Sequence, residues 1–179
     1  THVMPMVIVE DSSYKHWYNI QTILDIFCKY NNSYAVLEYQ RPMANQGVMA
    51  MFRLGRGFGL LEGLCTMKFG SNLSIIDPNK WQNTLVKKYM TKKEADSFKS
   101  KTLNYEYIIQ QINDNSYKEW YIKQTLNKSA SKAKLKTSFL FYKIKNTVEY
   151  ININWKNNNL VDSYLLARYI FENHVKSAH

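Results

Sequence analysis

The chain has 179 residues, 45% hydrophobic and 15% aromatic, which is enough for one domain with a real core. A charged fraction of 21% beside so many aromatics excludes disorder as a class. Lys and Arg outnumber Asp and Glu by 24 to 14, a formal net charge of +10, and a globular chain this basic points to a polyanionic partner.

An anionic membrane is the other polyanion, but no apolar run approaches the ~20 residues needed to span a bilayer. No strongly basic amphipathic helix with an exposed apolar face stands out either, so no membrane partner is expected. Cys28 and Cys65 lie far apart, and neither they nor His2, His16, His174 and His179 show zinc-site spacing. Both cysteines are expected to be reduced and buried, which fits an intracellular or organellar compartment. Thr1 is not an initiator Met and no signal peptide is visible, so the chain reads as a processed product or a fragment. Heavy use of Asn, Lys, Ile and Tyr is what AT-rich coding produces, and hints at an organellar, protist or phage source.

In chain order, Met4–Val9 is apolar and β-branched, a strand, and Asp11–Lys15 is a polar turn. Ile20, Ile23, Leu24 and Phe27 recur at helical spacing within Asn19–Tyr30. Tyr34–Glu38 is a short strand ending in a carboxylate. This strand–helix–strand order predicts a βαβ unit with a parallel pair. Gln46–Met67 is one helix with glycines at 47, 55, 57, 59 and 63, which let another backbone approach closely. Leu73–Ile76 is a third strand, closed by the Asp77-Pro78 turn. Asn79–Tyr89 is a helix with Trp81 in its first turn and in the core, and Lys80 outward. Thr91–Asn127 mixes Lys, acids and aromatics, and reads as a helical insertion. In Lys128–Tyr142, Leu135, Phe139 and Tyr142 share one face, and Lys128, Lys132 and Lys136 another. Thr147–Trp155 alternates in part, a possible strand, and Leu160–Asn173 is a final helix.

Two acids stand apart from ordinary surface ones. Glu38 closes an apolar strand. Asp162 sits in the first turn of the last helix, three residues after Asn159, so their side chains face the same way. Delivered to one pocket, such acids suit Mg²⁺, which prefers hard oxygen ligands and keeps several waters. Two such ions ~4 Å apart activate water and stabilise a leaving oxygen in phosphodiester hydrolysis. The plainer alternatives stay open. Glu38 alone is a strand-end surface acid, and Asp162 alone is a helix-dipole partner beside an Asn158 or Asn159 cap.

Ala35-Val36-Leu37-Glu38, Gln46-Gly47, Met51-Phe52, Gly55-Arg56-Gly57-Phe58-Gly59-Leu60 and Pro78-Asn79-Lys80-Trp81 follow one another in an order that resembles the RuvC family of Holliday junction resolvases, its organellar and phage-type branch. Asn159 to Ala167, which contains Asp162, is similar to the family's last motif. The resemblance covers most of residues 1–90 and 128–172. It implies an α/β fold, RNase H-like: a mixed sheet flanked by helices, in one domain over 1–179 with the insertion at 91–127. It further implies a dimer that binds four-way DNA junctions and cuts them symmetrically with Mg²⁺ or Mn²⁺. Glu38 matches the family's second catalytic carboxylate and Asp162 the last. Asn159 falls where the family has Asp or His, so this ligand supplies less charge to the metal. The family's first catalytic Asp, on a strand ending before Met4–Val9, has no counterpart in these residues, which alone are expected not to cut DNA.

Lys128, Lys132 and Lys136, flanked by Lys134, form a stripe suited to phosphates, with a solvated helix face as the plain alternative. Arg53 and Arg56 project from the glycine helix toward a phosphate contact, Lys80 joins this nucleic-acid set, and Phe52 pairs with Met51 as core. Two functions follow. One is a Mg²⁺-dependent, structure-selective endonuclease of the resolvase type, acting on branched DNA. The other is a resolvase homologue without catalysis, a structural subunit bound to structured RNA in a large ribonucleoprotein such as the mitochondrial ribosome. The localisation expected is mitochondrial or otherwise organellar, with a phage-encoded cytoplasmic protein as the alternative.

Overall fold

A computed structural model of the chain describes residues 6–8, 16–31, 33–41, 46–99, 104–126, 131–146, 154 and 156–175. The chain falls into two compact units, Thr1–Pro78 and Asn79–His179. The described part is mostly helical with a small parallel pair of strands, an α/β architecture.

The first unit opens with a hairpin. Strand β1 (Met6–Ile8) runs antiparallel to β2 (His16–Tyr18), with Met6 opposite Tyr18 and Ile8 opposite His16. Helix α1 (Ile20–Cys28) follows, and its cap residue Asn19 accepts from the Thr22 amide at 3.1 Å. Strand β3 (Ala35–Glu38) lies parallel to β4 (Leu73–Ile76), placing Glu38 opposite Ile76. The Tyr39 amide donates to the Ile76 carbonyl at 2.9 Å, which extends the ladder by one residue. Between these strands run α2 (Val48–Phe69) and a 3₁₀ turn (Gly70–Asn72). Gly70, at φ 51°, ends α2 in a conformation that a side chain disfavours.

The expected parallel pairing of Met4–Val9 with Tyr34–Glu38 is corrected. β1 is taken up by its own hairpin, because β2, which begins at His16, is the nearer partner in sequence. The crossover between parallel strands is α2, whose 22 residues easily exceed the dozen such a connection needs. The expected turn at 11–15 and the strand at 147–155, apart from Asn154, lie outside the described residues.

The glycines of α2 divide into two kinds. Gly57 is buried, and a Cβ there would collide with the Tyr18 hydroxyl, so this glycine admits the β2 aromatic. Gly55, Gly59 and Gly63 have open space where a side chain would go. Phe52, expected in the core, is 57% exposed. Cys65 is buried, whereas Cys28, also expected inside, is exposed, and both are free.

The second unit is a helical assembly: α3 (Pro78–Tyr89, beginning at the boundary), α4 (Lys92–Ser97), α5 (Tyr105–Gln110), α6 (Asn115–Leu126), α7 (Lys132–Lys145) and α8 (Asn158–Ile170). Pro78 suits the first position of α3, where its missing N–H has no helical partner to lose. Trp81 is fully buried, as its sequence context predicts.

Helix α7 is the axis of this unit. Leu135, Phe139 and Tyr142 are buried as expected, but so are Thr137, Ser138, Leu140, Phe141 and Ile144. A helix covered along its middle has to place its charged groups toward its ends, and the lysines of α7 fall at 132, 134, 136, 143 and 145.

The helical segment expected as an insertion supplies much of that cover. Ile108, Ile112, Tyr117 and Tyr121 are all but fully buried. Tyr117 stacks on Tyr142 with ring centres 5.0 Å apart. Its hydroxyl donates to the Ser138 carbonyl at 2.6 Å, and that of Tyr121 donates to the Leu135 carbonyl at 3.3 Å. Burial pushes both phenols up, so they remain neutral donors. Glu94, at 1% exposure, completes a capping box with Thr91 and receives Lys143 Nζ at 2.9 Å. The order of this segment thus comes from packing within its own unit.

The end of α8 is fastened to α3 by one carboxylate. Glu172, in the π-helical turn Phe171–Val175, accepts from Lys88 Nζ at 2.7 Å, from the Tyr89 hydroxyl and from Arg168 Nε. Its side chain is 3% exposed. Burial raises the affinity of Glu172 for a proton, but the three donors prevail and hold its carboxyl below the ordinary value of 4.5. A lowered carboxyl contributes stability that is complete above 4.5 and is lost as pH falls through the folded value. Glu172→Gln is expected to cost about 2–3 kcal/mol at neutral pH. It should also flatten the acid limb of a stability–pH curve, and an unchanged acid limb would show that the carboxylate is not what fastens α8.

Candidate functional site

The site is built at the start of α8. Lys156-Asn157-Asn158-Asn159 precedes the apolar run Leu160-Val161, and Asn is among the best capping residues. Asn157 is the cap: its Oδ1 accepts from the Asn159 amide at 3.1 Å and the Leu160 amide at 3.3 Å. The expected cap at Asn158 or Asn159 is thereby corrected, as is the expected helix start at Leu160. Asp162 moves from the first turn to the second, where the pull of the helix dipole has weakened.

An open cleft of about 350 Å³ lies against this terminus, lined by Lys134, Asn154, Lys156, Asn157, Asn158 and Asn159. Lys134 arrives from the first turn of α7, whose cap is Ser131. Two lysines and a helix N-terminus make the cleft electropositive. Asn158 is steadied by the buried Ser138 hydroxyl, which donates to its Oδ1 at a long 3.4 Å.

Asp162 stands on the same helix, one turn after Asn158 and Asn159. It is half-buried, and its Oδ1 is covered without a hydrogen-bond partner among the described residues. Burial pushes its carboxyl above the ordinary carboxylate range, while a hydrogen bond from Thr137 and the charge of Lys134 oppose the rise. A covered, unsatisfied carboxylate oxygen is costly to keep and is a ready ligand for a cation.

Among the described residues no group of three or more His, Cys, Asp or Glu is placed to hold a metal. Mg²⁺ asks for less, since it is commonly held by one or two carboxylates with waters and phosphate oxygens. Asp162 would supply one such carboxylate, from a position that does not line the lysine-bearing cleft.

The remaining sequence candidates are dispersed. Glu38 is half-buried at the C-terminal end of β3, in the first unit. Beside that strand end, Arg41 pairs with Asp77, its guanidinium 5.9 Å from the Tyr39 ring centre. Asp77 showed in the sequence only as half of a turn signal, and Arg41 had no signal at all. Arg53 and Arg56 are exposed on α2, and Lys80 on α3. Lys128 lies outside the described residues. Of the lysine stripe, Lys134 is exposed and Lys132 half-exposed. Lys136 is half-buried, which together with the charge of Lys99 pulls its ammonium down. The stripe therefore presents Lys134 to the cleft rather than an even row of charges. Lys156, missed in the sequence, is visible there as the lone cation leading into the asparagine run.

No helix of the described residues is long and apolar enough to cross a membrane. Comparison with protein-family models, with curated proteins and with solved structures gives no match to this chain.

Proposed function

We propose that the chain is a nucleic-acid-binding protein with a RuvC-like, RNase H-like fold, by that resemblance of the Mg²⁺- or Mn²⁺-dependent, structure-selective endonucleases acting on branched DNA, with the family's first catalytic Asp unmatched in these residues. The observation that supports this reading is the electropositive cleft at the start of α8, with the covered, unpartnered oxygen of Asp162 one turn further along the same helix. Lys134 and Lys156 hold phosphates, and the helix N-terminus adds its dipole. Asp162 is a metal ligand, with Asn159 as a neutral oxygen donor beside it. Glu38, in the other unit, carries its carboxylate role by resemblance alone. When bound, the metal supplies a water activated for attack on phosphorus.

Binding is tested by gel retardation of a four-way junction and a linear duplex of equal length, over a range of salt. Junction preference is expected. Each of Lys134→Gln and Lys156→Gln should reduce the slope of log K against log salt by about 0.9. Equal slopes in wild type and the double variant would remove the cleft from the binding surface.

The neutral Asn159 favours a second reading, a homologue that binds structured RNA in a large ribonucleoprotein without cutting. Co-sedimentation with ribosomal particles, together with indifference to junctions, would favour that reading over the first.

A further inference from the structure

The cleft at the start of α8 is lined by hydrogen-bond donors. Its two ammoniums come from different segments, Lys134 from the first turn of α7 and Lys156 from the residues leading into α8. Three of its asparagines have their oxygens engaged by the protein's own donors. Asn154 Oδ1 accepts from the Lys156 amide at 3.2 Å, and Asn158 Oδ1 from the Ser138 hydroxyl. Asn157 Oδ1 accepts twice, from the Asn159 and Leu160 amides, so both of its lone pairs are occupied. At 154 and 157 the donors are backbone N–H groups, which only the oxygen of the amide can meet. What these two exposed side chains have left for a ligand is therefore their NH₂ groups. No carboxylate is among the residues that line the cleft.

A ligand in such a place has to offer acceptors on every side. Two ammoniums repel a cation there. The helix terminus is not itself the binder, because Asn157 already takes its amides at 159 and 160. An internal phosphodiester presents a single negative charge and two non-bridging oxygens. A terminal phosphomonoester presents close to two charges at neutral pH and three acceptor oxygens. The second matches two lysines and a set of amide donors more fully. At about 350 Å³ the cleft is at the small end of ligand pockets, with room for a phosphate and its sugar and none for a duplex arm.

We propose that this cleft binds the terminal phosphate of a nucleic-acid strand in preference to the diesters along it. This rests on the reading of the chain as a nucleic-acid-binding protein with Lys134 and Lys156 as phosphate contacts. It adds the asparagine donors, and with them the strand end as the feature recognised.

The test is fluorescence anisotropy of the full chain with a short single-stranded oligonucleotide, labelled internally, at fixed salt. Its ends carry a 5′-phosphate, a 3′-phosphate or hydroxyls only. One of the phosphorylated forms is expected to bind about tenfold more tightly than the hydroxyl form, and which one it is assigns the strand end. Asn157→Asp keeps the helix cap, since Asp caps as well as Asn, but turns the outward donor into a carboxylate. Asn154→Asp does the same while still accepting from the Lys156 amide. Each should abolish the preference, with a thermal transition that shows the variant folded. Equal affinity for phosphate and hydroxyl ends, with the Lys134→Gln, Lys156→Gln double variant weakened toward both, would overturn the inference and leave the nucleic-acid reading intact. No loss of affinity in the double variant toward any of the three forms would overturn both. A phosphate preference that survives both Asp substitutions in folded protein would place the phosphate elsewhere and overturn its assignment to the cleft.

Discussion

Tyr117→Ala should destabilise the helical unit by about 3–5 kcal/mol, the range for removing a large, fully enclosed aromatic side chain. Tyr117 is 1% exposed, stacks on Tyr142 and caps the Ser138 carbonyl. The milder Tyr117→Phe keeps the ring and removes one buried hydrogen bond, to a carbonyl that still has its helical donor, for a cost of about 0.5–1.5 kcal/mol. Urea unfolding of the full chain, followed by far-ultraviolet circular dichroism, measures both. If Tyr117→Ala falls within about 1 kcal/mol of wild type, α6 is an appendage after all. The expected ranking has a practical corollary. Excising residues 91–127 should unfold the second unit rather than trim it, because Ile108, Ile112, Tyr117 and Tyr121 would leave with the excised segment.

The other large effect concerns Asp162. If the chain cuts branched DNA, Asp162→Asn should lower the rate by at least ~10²-fold, since disturbing even outer partners of a metal ligand costs 10- to 100-fold. Junction affinity, which the lysines govern, should change little. The variant should also be more stable than wild type at neutral pH. Burial raises the carboxyl of Asp162, so the folded state disfavours its charge. That cost is absent below the ordinary carboxylate range and is complete once pH has risen past the folded value. The amide removes the charge and with it the cost. Activity lost while stability rises would separate a functional role from simple unfolding. Glu38→Gln tests the other carboxylate independently, and full cleavage by it would strip Glu38 of its assigned role.

The sequence disclosed these features unevenly, and particular residues show why. Helix α1 and strand β4 lie within a residue or two of their expected bounds, because apolar spacing and the Asp77-Pro78 turn mark them locally. Trp81 was legible as core for the same reason. The hairpin was not. His16–Tyr18 is a three-residue strand, too short to show a period, and its pairing is defined by β1 rather than by its own composition. The role of α7 was half legible: Leu135, Phe139 and Tyr142 marked one face, but the burial of Thr137 and Ser138 depends on helices far away in sequence. The aromatic, Lys-rich stretch 91–127 looked polar enough to stand apart. Tyr contributed to that impression because its hydroxyl counts as polar, yet at 117 and 121 that group reaches buried carbonyls. Asp162 stood out in the sequence as an acid near the start of the last helix. Its surroundings were hidden, because Thr137 and Lys134 reach it from another helix.

The enclosure of α7 has a consequence for how the helical unit opens. Amide hydrogens exchange with solvent when their segment unfolds locally, and exposed or frayed elements open at little cost. The middle of α7 has no such route, since water reaches the stretch from Thr137 to Tyr142 only when the helices around it have separated. Its amides should thus be the last to take up deuterium, at a rate that reports the global stability of the unit. The cleft at the start of α8 lies at the rim of that slow-exchanging centre. A ligand held by Lys134 and Asp162 would join two helices there, and would be detected as slower exchange in the first turns of both.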